Sequence, residues 1–243
     1  MFLRLKAPFA AFRPGDLSRV PIAFRPTTPI PSPSAAYGLL LNLAGIEQRG
    51  DIALPTTPIR QGLPELEIAI GVPSGTRTET AILSQQLHQY LVGNSDKELA
   101  KLTKGAKSWI APVRREVLVN LDVVVGVRGN AELGDRIVAG LNGELDEPRY
   151  GLPFAGDNNF LFDSIDIVES PGCVRWYSPL PENARPQRGT CRLAIWIDRA
   201  DNSKTQTAVF TPGDDFRSHP PESAWVKLPG DRAWSEVLKD KHL

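Results

Sequence analysis

Cysteine is scarce in this chain. Only Cys173 and Cys191 occur in 243 residues. Two cysteines cannot build a disulfide framework, and nothing around either has metal-ligand spacing. They read as reduced core residues of a cytoplasmic protein, on strands that could be neighbours. Histidine is also rare, at His88, His219 and His242, and no paired-carboxylate or metal-spacing cluster accompanies it. No metal or other cofactor is expected. Arg4 and Lys6 are followed by an apolar run that is short and broken by Pro8, which is not the pattern of a secretory signal. No later apolar run is long enough to span a bilayer, so no membrane partner is expected. Excess charge is missing too. Lys plus Arg number 28 and Asp plus Glu 28. A bulk polycation is excluded, so any nucleic-acid contact must come from a local patch or from a larger assembly.

Proline, by contrast, is abundant: of its 22 residues, 15 lie before Ser34 or after Ser170. The chain is organised around SPSAAYGLLLNLAGI, from Ser32 to Ile46. Ser32 suits an N-cap, and Pro33 sits where its missing N–H costs nothing. Ala36, Leu39, Leu40 and Leu43 follow at helical spacing. The three prolines of Pro26–Pro31 exclude helix before it. Free N–H groups at such a helix start suit a phosphate, and the same features equally serve an ordinary capped core helix.

Before this helix, Leu3 and Leu5 alternate with Arg4 and Lys6, which predicts a half-buried strand over Phe2–Lys6 with a basic outer face. The following loop carries Arg13, Arg19 and Arg25 against one acid, Asp16. That sign bias points to an anion partner as readily as to solubility. LEIAIGV predicts a second strand, closed by Pro73. Thr76–Pro112 reads as an excursion. Leu83, Leu87, Tyr90 and Leu91 predict a short amphipathic helix. Ser95 with Glu98 has capping-box spacing and opens a second helix, on which Lys97, Lys101, Lys104 and Lys107 form a basic stripe. Lysines so spaced make either a solvated face or an anion-binding one.

The strand pattern resumes at Arg115–Arg128, where Val117, Val119, Leu121, Val123, Val125 and Val127 share one face. A helix follows from an Asn130 cap, with Leu133, Ile137 and Leu141 in register and Gly143 ending it. A turn-rich loop, Tyr150–Phe160, leads to a strand in which Ile165 and Ile167 alternate with Ser164 and Asp166. Strand, helix, strand, excursion, strand, helix, strand is the ferredoxin-like α+β plan, shared with RNA-recognition modules. The expected organisation is a ferredoxin-like domain over 1–169, with a thumb insertion at about 76–112, and a small C-terminal β subdomain over 170–243. CVRWYSPL, CRLAIWID and TQTAVF supply its strands. Trp176 and Trp196 are expected in its core, and Asp231–Leu243 is expected to form a terminal helix.

Three of these stretches carry a resemblance. PSPSAAYGLLLNLAGI after a basic strand resembles the opening of CRISPR-associated protein five, of the RAMP superfamily. RREVLVNLDVVVGV resembles the strand that follows that family's projecting thumb. PRYGLPFAGDNNFLFDSI resembles its glycine-containing loop and last strand in the Myxan (DevS-like) subtype, although with only Gly151 and Gly156. The three fall in the family's order across the first two thirds of the chain. The resemblance implies a non-catalytic subunit of a type I RNA-guided surveillance complex. Such a subunit binds the 5′ handle of the guide RNA and caps the backbone filament. The implied partners are guide RNA, the backbone subunit (CRISPR-associated protein seven), the large subunit (CRISPR-associated protein eight) and, through the complex, target DNA.

The candidate RNA-binding residues are Arg4, Lys6, Arg13, Arg19, Arg25, Ser34, Tyr37, Lys101, Lys104, Lys107, Arg114, Arg115, Gly151 and Gly156. Phosphate contacts of this kind give affinity and register, not base identity. An alternative is a metal-independent endoribonuclease that processes precursor guide RNA, as some members of the family do. Cutting members place a Lys-His pair near the entry to the post-thumb strand, and here KSWIAPVRRE offers Lys107 without a histidine. A third reading is an interaction protein of the same fold that binds no RNA.

Overall fold

The computed structural model describes residues 1–14, 24–51, 53, 57–91, 108–181, 183–199 and 201–228. Its strands are β1 (Phe2–Ala10), β2 (Phe24–Arg25), β3 (Leu66–Pro73), β4 (Glu79–Leu91), β5 (Ser108–Arg128), β6 (Ser164–Val168), β7 (Val174–Pro179), β8 (Cys191–Trp196), β9 (Gln206–Pro212) and β10 (Val226–Leu228). Its helices are α1 (Pro33–Leu43) and α2 (Ala131–Asn142). The strands hydrogen-bond in the order β6-β1-β5-β3-β7-β9-β8, with every neighbouring pair antiparallel. The first four strands in that order, with α1 and α2, are the ferredoxin-like α+β unit. The C-terminal β segment continues its sheet: β7 and β10 both pair with β3.

Local chemistry accounts for the helices. Ser32 Oγ accepts from the Ala35 amide at 3.2 Å, and Pro33 opens α1. Asn130 Oδ1 accepts from the Leu133 amide at 2.9 Å, and Gly143 closes α2 in the left-handed region at φ 77°. Alternation places Leu3, Leu5 and Ala7 of β1 inward with Val123, Val125 and Val127 of β5. They meet Tyr37, Leu40, Leu41 and Leu43 of α1, Leu133 and Ile137 of α2, and Leu193, Ile195 and Trp196 of β8. Each such fully buried side chain contributes about 1.5–3 kcal/mol. A smaller cluster lies on the opposite sheet face: Ala69, Val124, Val174, Trp176 and Ala224, with Phe2 and Trp225 against it. Trp176 and Trp196 therefore belong to two different cores, not to one shared C-terminal core.

The excursion is a hairpin. Leu83, Leu87, Tyr90 and Leu91 lie on β4, which pairs antiparallel with β5 from Glu79↔Val119 to Leu91↔Ser108. The expected amphipathic helix is thus corrected to a strand. Positions 83 and 87 are four apart, which suits a helical stripe and equally one face of a strand, and the register shift between His88 and Tyr90 comes before Leu91. The capping box at Ser95, its lysine stripe and the C-terminal helix all lie outside the described residues. β5 runs straight from the hairpin into the sheet. Asn120 has φ 57° at the junction, a left-handed position that asparagine tolerates better than most residues. The two cysteines are free and are not on neighbouring strands: Cys173 lies just before β7, Cys191 opens β8, and β9 separates those two strands. Burial pushes the Cys191 thiol up to about 12.

Candidate nucleic-acid interface

A groove of about 1430 Å³ opens where α1 begins. One wall is the first turns of α1, with Ser34, Ala35 and Gly38. Opposite it runs the loop from Tyr150 to Phe162. Phe12 and Arg13, just past β1, also line it. So do Arg192 and Ala194 of β8, with Ile197, Arg199, Thr205 and Thr207. Arg192 and Ala194 project into the groove because Leu193 and Ile195, alternating with them, are buried in the core.

The electrostatics of the lining are one-sided. Arg13, Arg49, Arg192 and Arg199 line the groove, and among the described residues no acidic side chain does. Arg49 is partly neutralised by Glu47, whose Oε2 lies 2.8 Å from Nη2. The same guanidinium stacks on the Tyr150 ring at 5.1 Å. Arg192 donates to Thr207 Oγ1 at 3.1 Å. Between the cations stand exposed apolar groups: Leu152 at 69%, Leu161 at 49%, Phe154 at 48% and Tyr150 at 46%. Cations for phosphates beside open aromatic faces for bases are the chemistry of a single-stranded nucleic-acid groove.

The loop wall is firmly seated. The Ala11 amide donates to Ala155 O at 3.0 Å, and the Ala155 amide donates to Phe160 O at 2.7 Å. Asn42, buried on α1, donates to Gly151 O at 3.2 Å. Gly156 has φ 80°, and a Cβ there would lie 2.3 Å from the Ala11 carbonyl oxygen. Only glycine fits that approach. Gly151 is exposed, with open space where a Cβ would be.

Of the residues singled out from sequence, the groove gathers Arg13, Ser34, Gly151 and Gly156. The others fall elsewhere. Arg4 and Lys6 lie on the opposite face of β1 from Leu5, away from α1, because strand side chains alternate. Arg4 is moreover held by Asp122 through two hydrogen bonds of 2.8 and 2.7 Å. Tyr37 is corrected outright: it is fully buried and its hydroxyl donates to Pro64 O at 2.9 Å. Arg115 is corrected too: it is buried, with Nη2 2.6 Å from Asp157 Oδ2. Arg114 is exposed on β5, and Arg25 is half-buried on β2, which pairs beside it. Arg19, Lys101, Lys104 and Lys107 lie outside the described residues.

The anion reading of the α1 start is also narrowed. Pro33 has no N–H, Ala35 is capped by Ser32, and Ala36 donates to Ser32 O at 2.9 Å. Ser34 is left to offer its amide and hydroxyl. Arg49, Arg192 and Arg199 escaped the sequence reading. Arg192 and Arg199 have no local signal, because β8 and the residues after it reach α1 only through the order of the sheet, whereas Arg49 follows α1 closely in the chain.

No family model matches this chain, and no curated protein matches it. Among solved structures, a chain described as "CRISPR RNA-guided surveillance complex" is similar at 15% identity and a TM-score of 0.53, covering 92% of this chain and 95% of that one. A second, described as "Crystal structure of Cas protein", covers 91% of this chain and 99% of its own at 15% identity. Its TM-score of 0.42 is too low to build on. At these identities the likeness is one of fold.

Proposed function

We propose that the chain is a non-catalytic subunit of a type I CRISPR RNA-guided surveillance complex, of the CRISPR-associated protein five family and its Myxan (DevS-like) subtype. It holds the single-stranded 5′ handle of the guide RNA in the groove at the start of α1. It caps the backbone filament beside CRISPR-associated protein seven, with CRISPR-associated protein eight and target DNA reached through the assembly. The observation that carries this reading is the groove itself: four arginines and no described acid, interleaved with open aromatic and aliphatic side chains. The fold likeness to a chain of such a complex is in keeping with it. Cleavage at a 2′-hydroxyl needs a positioned general base, and the described lining contains no histidine, lysine or carboxylate. His219 packs against Phe2, ring centroids 5.9 Å apart, on the far face of the sheet.

The test is fluorescence anisotropy with a repeat-derived single-stranded RNA across a salt series. Arg13→Ala, Arg192→Ala and Arg199→Ala should each weaken binding and flatten the dependence on salt, by about 0.7 in log–log slope for each lost phosphate contact. Binding that is insensitive to salt, or to all three substitutions, overturns the reading. Specific cleavage of a repeat-containing transcript in the presence of chelator would place the protein with the nucleases instead.

A further inference from the structure

We propose that Arg115 and Asp157 form a positioning pair that sets the loop wall of the groove, so that Arg115 acts on RNA only through Asp157. The inference rests on the guide-RNA reading above. The loop from Tyr150 to Phe162 supplies one whole wall, and its open apolar side chains come from both sides of a tight turn. Phe154 and Leu161 bridge across that turn, and the Phe160 amide donates to Asp157 O at 2.9 Å. Asp157 sits at the tip, with Gly156 and Asn158 on either side facing the groove. Its carboxylate turns the other way. Oδ2 meets Arg115 at 2.6 Å, while Oδ1 accepts from the Asn159 amide at 3.0 Å and from Asn159 Nδ2 at 2.7 Å.

Both partners are almost buried, at 9% and 15% side-chain exposure, so solvent screens the pair little. Burial works against the Asp157 charge, but the Asn159 hydrogen bonds and the Arg115 cation hold the carboxyl below its ordinary value. The Arg115 guanidinium also lies 5.8 Å from the Phe160 ring centroid, on the other arm of the turn. Arg115 itself is carried by β5, in the stretch paired with β4, at Leu83↔Arg115. The root of the hairpin thus grips the tip of the groove loop. A guanidinium committed in this way has little capacity left for a phosphate.

A double-mutant cycle tests this. Arg115→Met, Asp157→Asn and the double variant are measured for RNA affinity by anisotropy. Hydrogen exchange is followed in parallel at the amides of 151–162. If Arg115 acts through Asp157, each single variant weakens RNA binding by about tenfold and the double is no worse than either. Loop amides should exchange faster while those of β1 and β3 do not. Arg115→Lys, which keeps the charge, should restore part of both signals and serves if Arg115→Met fails to fold. Additive losses mean that Arg115 touches RNA itself and overturn the proposal. Unchanged loop exchange overturns it as well. Wild-type protein that binds no RNA at any salt overturns the guide-RNA reading, which the variants alone cannot do.

Discussion

At the residue scale, the informative side chains are those whose chemistry suggested one role and whose surroundings impose another. Tyr37 looked like a phenol at a helix start facing a ligand. It faces inward instead, against Trp196 at 6.1 Å between ring centroids, with its hydroxyl on Pro64 O. Tyr37→Phe should therefore cost stability and leave RNA affinity unchanged. Loss of one such buried hydrogen bond is worth about 1–2 kcal/mol, readable as a lower urea midpoint. A drop in RNA affinity with unchanged stability would return Tyr37 to the interface. Arg4 and Arg115 make the same point with charge. A cation is legible in sequence, but the carboxylate that claims it is not: Asp122 and Asp157 lie 118 and 42 positions away in the chain.

At the scale of elements, α1 and α2 cross at one close contact. A Cβ on Gly140 would lie 1.7 Å from the Leu43 carbonyl oxygen, so the two helices could not keep their spacing. Gly134, on the same helix, has nothing within 4 Å of that position. The two glycines should respond to alanine with opposite signs. Gly134→Ala should gain up to about 1 kcal/mol, the ordinary helix preference for alanine. Gly140→Ala should lose about 1–3 kcal/mol, because overpacking against backbone outweighs that preference. Chemical denaturation of the two variants side by side is the measurement. A stabilised Gly140→Ala would show that the helices do not pack as closely as described.

At the scale of the whole molecule, the hairpin is an extension of β5 and not a separate unit. Its root is tied into the fold: the Thr27 amide donates to Glu116 at 2.9 Å, and Arg115 grips the groove loop. Its outer part is not tied in this way among the described residues. Joining Gln85 to Val113, which are already register partners, through an Asn-Gly turn removes 86–112 and keeps the root paired. That protein should fold with nearly the parent melting temperature and still bind single-stranded RNA. Loss of cooperative unfolding would mean that the outer hairpin belongs to the core. Cutting further, through Arg115, should instead loosen the groove.

The ferredoxin-like order, both helix caps and the inward faces of β1 over Leu3 and Leu5 and of β5 over Leu121–Val127 were legible in the sequence. Each rests on spacing or on a cap within a few residues, and such signals act locally whatever the rest of the chain does. Val117 and Val119, expected on that same face of β5, lie outside the main core, which takes Leu118 instead. Tertiary structure alone decided the remainder. The fourfold spacing of Leu83 and Leu87 satisfies helix and strand alike, and pairing with β5 settles the choice. The groove needed β8 beside α1, and only the sheet order brings Arg192 and Arg199 to the helix that the sequence had marked. Whether an arginine meets solvent, phosphate or a buried carboxylate depends on groups far apart along the chain. Local patterning carries no information about them, and packing does.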